Sequence, residues 1–135
     1  MVNPYFDVLE TAASIFGIYF AFAYPAIDML STYSFMDPSR ALGKDPIAHE
    51  GALGLKKLVP RFGIEKGLIV YYFIESGILL SIFLVLIGLT VLSPFGVVAL
   101  LIFDGTGIVQ GSRFVRGNFR AAKGLRKELA ERIGE

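Results

Sequence analysis

The placement of charged residues constrains this chain more than any other feature of its sequence. Residues 11–36 contain one charged side chain, and residues 67–112 contain only two. A transmembrane helix needs about 20 mostly apolar residues, because each residue advances a helix by about 1.5 Å. The first stretch is long enough for one span and the second for two. Since only 19% of the chain is charged and 54% is hydrophobic, we predict an integral membrane protein.

A turn at Ser93-Pro94-Phe95-Gly96 divides the second stretch, because serine, proline and glycine are typical turn residues. The predicted fold class is therefore all-α, with three transmembrane helices in a single membrane domain. A short interfacial helix is expected in the one long loop, and an amphipathic helix in the C-terminal tail. The predicted spans cover residues 7–34, 64–92 and 95–115, the loop covers 36–63 and the tail covers 116–135.

The lysines and arginines indicate the orientation. Six of the 13 lie between Arg40 and Lys66, and the other seven lie between Arg113 and Arg132. Basic loops stay on the cytoplasmic side of a membrane. We therefore expect a protein of the cytoplasmic membrane whose N-terminus lies outside the cell and whose C-terminus lies in the cytoplasm. Because the N-terminus lacks the positive region of a secretory signal, the first span is expected to be retained.

Within the loop, Asp45-Pro46 is typical of an N-cap followed by proline in the first helical turn. Most apolar residues of 47–59 fall on one arc of a helical wheel, so we predict a helix from Ile47 that Pro60 ends. This helix is either a connector that rests on lipid or a lid that docks a partner. His49, on its polar face, is either a group that titrates near neutral pH or an ordinary surface residue.

The tail combines a basic ridge with an apolar face, and the third span is expected to continue into it as one amphipathic helix. Such a ridge binds anionic lipid headgroups at about 1 kcal/mol per residue. We therefore expect lipid, and not nucleic acid, as its partner. The basic ridge consists of Arg113, Arg116, Arg120, Lys123 and Lys127, and the apolar face of Phe119, Ala122, Leu125, Leu129 and Ile133.

Each predicted span contains one carboxylate, namely Asp28, Glu75 or Asp104. Ionisable groups inside a bilayer are costly, so each of the three needs a reason. Glu75 lies nine residues after Lys66 and Asp104 nine before Arg113, which predicts a carboxylate layer at one depth. The layer either relays protons or holds a small cation, or its protonated acids join the helices through hydrogen bonds.

Polar and small side chains lie close to these carboxylates in the sequence. Small residues four positions apart let two helices approach closely, which predicts that the carboxylates face protein rather than lipid. The supporting polar residues are Thr32, Tyr71, Tyr72 and Gln110, and the packing residues are Ala13, Gly17, Ala21, Gly107 and Gly111.

Several classes of site are excluded by composition. The chain has no cysteine and one histidine, which excludes thiolate and multi-histidine metal sites. It also lacks the HExxH, GxSxG and phosphate-loop motifs, so we expect no catalytic residue, metal or cofactor. Its two asparagines and single glutamine, beside a tail rich in lysine, arginine and glutamate, are typical of a thermophile.

The pattern Asp28-x-x-x-Thr32, followed by His49-Glu50-Gly51 and Arg61-Phe62-Gly63, resembles a group of small prokaryotic multi-pass membrane proteins of unknown function. Those proteins carry a Glu-x-Asn-Pro box after the Asp-x-x-x-Thr motif, whereas Glu50-Gly51-Ala52-Leu53 occupies its place here. The resemblance covers the first half of the chain and implies no activity.

Three helices enclose little interior for three carboxylates, so we expect assembly with copies of this chain or with other membrane subunits. The leading hypothesis is a small non-enzymatic subunit of a larger membrane complex. The second is a homo-oligomeric proton or cation channel or transporter built on the carboxylate layer. An intramembrane enzyme is the third.

Overall fold

The computed structural model describes residues 4–48 and 52–134, with side chains from Asp7 onward. These residues form four α-helices and no strand: α1 is Pro4–Ala41, α2 is Leu53–Phe62, α3 is Ile64–Leu92 and α4 is Pro94–Ile133. α1, α3 and α4 are long and apolar enough to cross a membrane, with mean hydropathies of 1.4, 2.3 and 1.5 over their apolar windows. The predicted all-α class with three such helices is therefore confirmed.

α1 continues beyond residue 34, where the first span was predicted to end, and reaches Ala41. Phe35 and Met36 are buried in a cluster that also contains Leu55 and Val59 of α2. Because this packing engages the last turns of α1, the helix persists through residues that a membrane span alone would not require.

The predicted start of the second helix at Ile47 is wrong. The Ile47 N–H donates a hydrogen bond to Asp45 Oδ1 at 3.0 Å, and residues 46–48 form a turn. Aspartate side chains that bond the backbone two residues later favour such turns over helix. The helix begins at Leu53 instead. His49, expected on its polar face, lies outside the described residues.

The predicted end of this helix at Pro60 is also wrong, since α2 reaches Phe62. Gly63 ends it: its φ of +82° lies in the region that glycine adopts without strain, and its N–H donates to the Val59 carbonyl at 2.9 Å. Gly63 thus separates α2 from α3 within one residue.

A single residue, Ser93, joins α3 to α4. Its hydroxyl accepts a hydrogen bond from the Phe95 N–H at 3.3 Å, and Pro94 fills the first helical position, where no N–H is needed. A Cβ on Gly96 would overlap the backbone of Leu89, so the hairpin requires glycine there. α4 then runs without a break for 40 residues.

The chain packs as two compact units, each built from parts of α1, α3 and α4. The first contains Met1–Pro25 and Glu75–Gly111, and the second contains Ala26–Ile74 and Ser112–Glu135. Ala13, Phe83 and Leu100 form the buried core of the first unit. In the second unit α2 joins the core, which consists of Phe35, Met36, Leu55, Val59, Leu68 and Ala122.

Candidate functional site

Three glycines of the first unit each receive an aromatic ring from another helix. The Phe83 ring of α3 fills the space beside Gly17 of α1, and any Cβ on Gly17 would collide with it. The Phe20 and Tyr24 rings of α1 occupy the same kind of notch at Gly107 and Gly111 of α4. The two rings are stacked with centroids 5.2 Å apart. Ala13 and Ala21 of α1 are also buried.

Asp104 lies inside this aromatic packing. Its side chain is only 5% exposed, and its Oδ1 is 3.4 Å from the position that a Gly17 Cβ would take. Among the described residues, Oδ1 has no hydrogen-bond partner. Burying a carboxylate without a partner is costly, so Asp104 Oδ1 is a candidate for contact with a group from outside this chain.

Glu75 and Asp104 belong to the same unit but lie at different distances from the turn at Ser93. Counted from Ser93, Glu75 is 18 residues away along α3 and Asp104 is 11 residues away along α4. At 1.5 Å per residue, the two carboxyl groups are offset by about 10 Å along the hairpin. The hairpin register therefore does not place Glu75 and Asp104 in the single layer that the sequence predicts.

An open apolar groove of about 350 Å³ lies on the outside of the same unit. Phe20, Tyr24 and Leu79 line it, together with the α4 face that contains Thr106 and Gln110. Both polar side chains are exposed, and neither forms a hydrogen bond with any residue in the described part of the chain. Gln110, predicted to support a carboxylate, points to the surface instead.

In the second unit, Thr32 belongs to a polar cluster that the sequence did not reveal. The Asn118 side-chain amide of α4 donates hydrogen bonds to Ser31 Oγ at 3.0 Å and to Thr32 Oγ1 at 3.1 Å. Both hydroxyls are buried, and the Ser31 hydroxyl donates to the Asp28 carbonyl at 2.9 Å. Asn118 is one turn before Ala122 on the apolar face of the tail, a spacing that could have identified it.

The other predicted polar residues lie in the second unit as well. Asp28 is half-buried on α1. The Tyr71 ring packs over Gly54 of α2, where a Cβ would crowd it, and Tyr72 meets Phe73 edge to face at 5.1 Å. Tyr71 therefore supports the contact between α2 and α3.

A second missed contact joins α1 to α3 in the first unit. The Thr90 hydroxyl donates to Glu10 Oε1 at 2.6 Å. A carboxylate at one helix end and a hydroxyl 80 positions later give no pairing signal in the sequence.

The tail is held by an ion pair in the second unit. Lys44 Nζ donates to Glu128 Oε2 at 2.6 Å, and Arg132 lies 3.3 Å from the same carboxylate. The hydrogen bond from Lys44 and the nearby positive charges lower the pKa of Glu128 from its ordinary value of 4.5. The five residues of the predicted basic ridge are all exposed: Arg113, Arg116, Arg120, Lys123 and Lys127.

Within residues 4–48 and 52–134, no group of three metal-ligating side chains is close enough to hold a metal ion. Comparisons of the chain with models of protein families, with curated proteins and with solved structures find no match.

Proposed function

We propose that this chain is a small non-enzymatic subunit of a larger membrane protein complex. Its three long helices expose large apolar side chains, such as Phe73 at 67%, Ile102 at 63% and Val85 at 64%. A chain that displayed so much apolar surface to water would aggregate, whereas lipid and neighbouring helices both accept it.

The proposed orientation keeps the N-terminus outside and the basic ridge of α4 at the cytoplasmic headgroups. It is supported by the exposure of all five ridge residues and by the positive-inside rule. We place α2 at the same interface, because Leu55 and Val59 are buried while Leu53 is 76% exposed and Lys56 and Lys57 face outward.

The observation that carries the proposal is the exposed amide of Gln110 beside an apolar groove. An unpartnered polar side chain within a membrane helix gains about 1 kcal/mol when a second helix supplies a hydrogen bond. Thr106 lies one turn before Gln110 and extends the same polar edge. A transmembrane helix of another subunit, laid into the groove, would pair with both groups and cover Phe20 and Leu79.

The absence of native cysteine allows a site-specific test. Thr106→Cys, labelled with a benzophenone maleimide and irradiated in host membranes, is expected to yield one adduct with a different membrane protein in fixed ratio. Ile108→Cys is the matched control, because residue 108 is exposed and points about 200° away around α4. The adduct yield should fall when Gln110→Leu is added to Thr106→Cys, since the leucine removes a hydrogen bond worth about 1 kcal/mol but preserves the bulk.

Two outcomes would contradict the proposal. An equal yield from positions 106 and 108 would mean that the groove is not an interface. An adduct containing only a second copy of this chain would replace the subunit hypothesis by a homo-oligomer.

A second candidate function is proton or cation movement by an oligomer. It is favoured by the buried Oδ1 of Asp104, which has no hydrogen-bond partner in the described part of the chain. In proteoliposomes, Asp104→Asn should then abolish proton flux while leaving assembly unchanged. Asp7→Asn is the control, because Asp7 is exposed near the start of α1. Flux that survives Asp104→Asn would eliminate this candidate.

A further inference from the structure

A charged pocket of about 260 Å³ lies in the second unit, between the last turns of α1 and the start of α3. Two cationic and two anionic side chains face it, together with two aromatic rings. The cations are Arg40 and Lys66, the anions are Asp37 and Glu65, and the rings are Tyr33 and Phe62.

Within residues 4–48 and 52–134, none of the four charges of this pocket takes part in an ion pair. The ion pairs of the described residues join Lys44, Lys127 and Arg132 to glutamates of the tail, and none involves a charge of the pocket. All four charged side chains are exposed. A ligand with charges of both signs would therefore find complementary partners without breaking an existing ion pair.

An apolar groove of about 360 Å³ continues directly from the pocket. Tyr33 and Glu65 line both, and the groove then follows Leu30 of α1 and Leu68 and Ile69 of α3. Leu30 is 61% exposed and Ile69 is 50% exposed, so the groove is open along its length. A molecule with a charged end and a long apolar end matches this sequence of surfaces.

The positions of the charges agree with the membrane placement proposed above, on which this inference rests. Asp37 and Arg40 are the first charged residues after Asp28, and Lys66 is the last before Glu75. The pocket is thus at the end of two apolar stretches, where lipid headgroups lie, and the groove extends toward the hydrocarbon.

We propose that the pocket and groove together bind one phospholipid with a zwitterionic, ethanolamine-type headgroup. Arg40 and Lys66 bind the phosphate through charge-assisted hydrogen bonds, and Asp37 and Glu65 accept hydrogen bonds from the primary ammonium. One acyl chain follows the groove past Leu30. A headgroup with a phosphate and no ammonium would leave the two carboxylates facing a negative ligand, which disfavours anionic lipids.

The test is native mass spectrometry of the full chain in detergent, titrated with phosphatidylethanolamine or phosphatidylglycerol of identical acyl chains. We expect preferential retention of phosphatidylethanolamine. Arg40→Gln/Lys66→Gln should weaken it by about tenfold or more, because two charge-assisted contacts are lost. The control Arg126→Gln removes a positive charge from an exposed position of α4 that is not part of the basic ridge, and it should leave retention unchanged.

Two further variants test the contributions of the headgroup and of the acyl chain to binding separately. Asp37→Asn/Glu65→Gln should shift the preference toward phosphatidylglycerol, since the repulsion of its phosphate is removed. Leu30→Trp fills the groove without altering charge and should reduce lipid retention. In the original chain, free phosphoethanolamine should bind much more weakly than the lipid. Only variants that unfold at the same temperature as the original chain are included in the comparison.

Equal weakening by the α4 control, or equal retention of both lipids, would overturn the proposal. So would free phosphoethanolamine that binds as tightly as the lipid, which would identify a site for the soluble headgroup. Membrane fractionation provides a separate readout: recovery of the unaltered chain outside the membrane fraction would instead refute the proposed function.

Discussion

The tight contact between Gly17 and Phe83 predicts that a single methyl group destabilises the first unit. In Gly17→Ala the new Cβ collides with the Phe83 ring and lies 3.4 Å from Asp104 Oδ1. The ring is only 1% exposed, and protein interiors contain few voids into which such a ring can move. Overpacking of this kind costs about 1–3 kcal/mol. Alanine also gains about 1 kcal/mol over glycine through helix propensity, which partly offsets that cost.

Gly77→Ala is the matched control that isolates the steric part. Nothing in the described part of the chain lies within 4 Å of its Cβ position, so this variant gains helix propensity without a collision. The difference in unfolding free energy between the two variants should therefore equal the overpacking cost, about 1–3 kcal/mol. Denaturant titration in detergent, followed by circular dichroism, measures both.

A double-mutant cycle with Phe83→Ala tests the cause. Removing the ring leaves a cavity and costs about 3–5 kcal/mol by itself, but it also frees the space beside residue 17. In the Phe83→Ala background, Gly17→Ala should be neutral or stabilising, so the two changes should be strongly non-additive. Additive effects, or a Gly17→Ala variant as stable as Gly77→Ala, would refute the reasoning.

Two other predictions concern the second unit. Asn118→Ala should lower the unfolding free energy by about 1–3 kcal/mol, because Ser31 Oγ and Thr32 Oγ1 lose their hydrogen-bond donor. The control Arg116→Ala should have little effect. An unchanged denaturation midpoint for Asn118→Ala would exclude a role for this cluster in stability. The lowered pKa of Glu128 means that its ion pair with Lys44 stabilises the folded chain fully above about pH 4.5 and progressively less as the pH falls through the folded-state pKa. The difference in Tm between the original chain and Glu128→Gln should therefore shrink below pH 4.5, and a difference that grows on acidification would contradict this.

The small residues show how far a sequence can predict a packed membrane domain. Gly17, Gly107 and Gly111 were predicted as helix contacts from their spacing alone, and each does meet another helix. The spacing does not indicate whether the side chain that packs on each glycine belongs to this chain or to a partner. Rings of the chain itself occupy the space beside these three glycines.

The carboxylates show where the prediction fails. Their common depth was inferred from equal distances to Lys66 and Arg113, on the assumption that both residues mark the same membrane boundary. Measured from Ser93, however, Lys66 is 27 residues away and Arg113 is 20. Charged residues mark the end of an apolar stretch only loosely, because a helix continues past that end wherever side chains beyond it are packed.

The three apolar helices, the break at Ser93 and the segregation of basic residues can be predicted from the sequence, because they depend on composition and on local backbone preferences. Which side chains meet depends on how the helices pack. The Asn118 amide bonds Ser31 and Thr32 from 87 and 86 positions away, and Asp104 lies beside Gly17 of another helix. Such pairings depend on the register and rotation of one helix against the next, and shape complementarity between distant segments sets both.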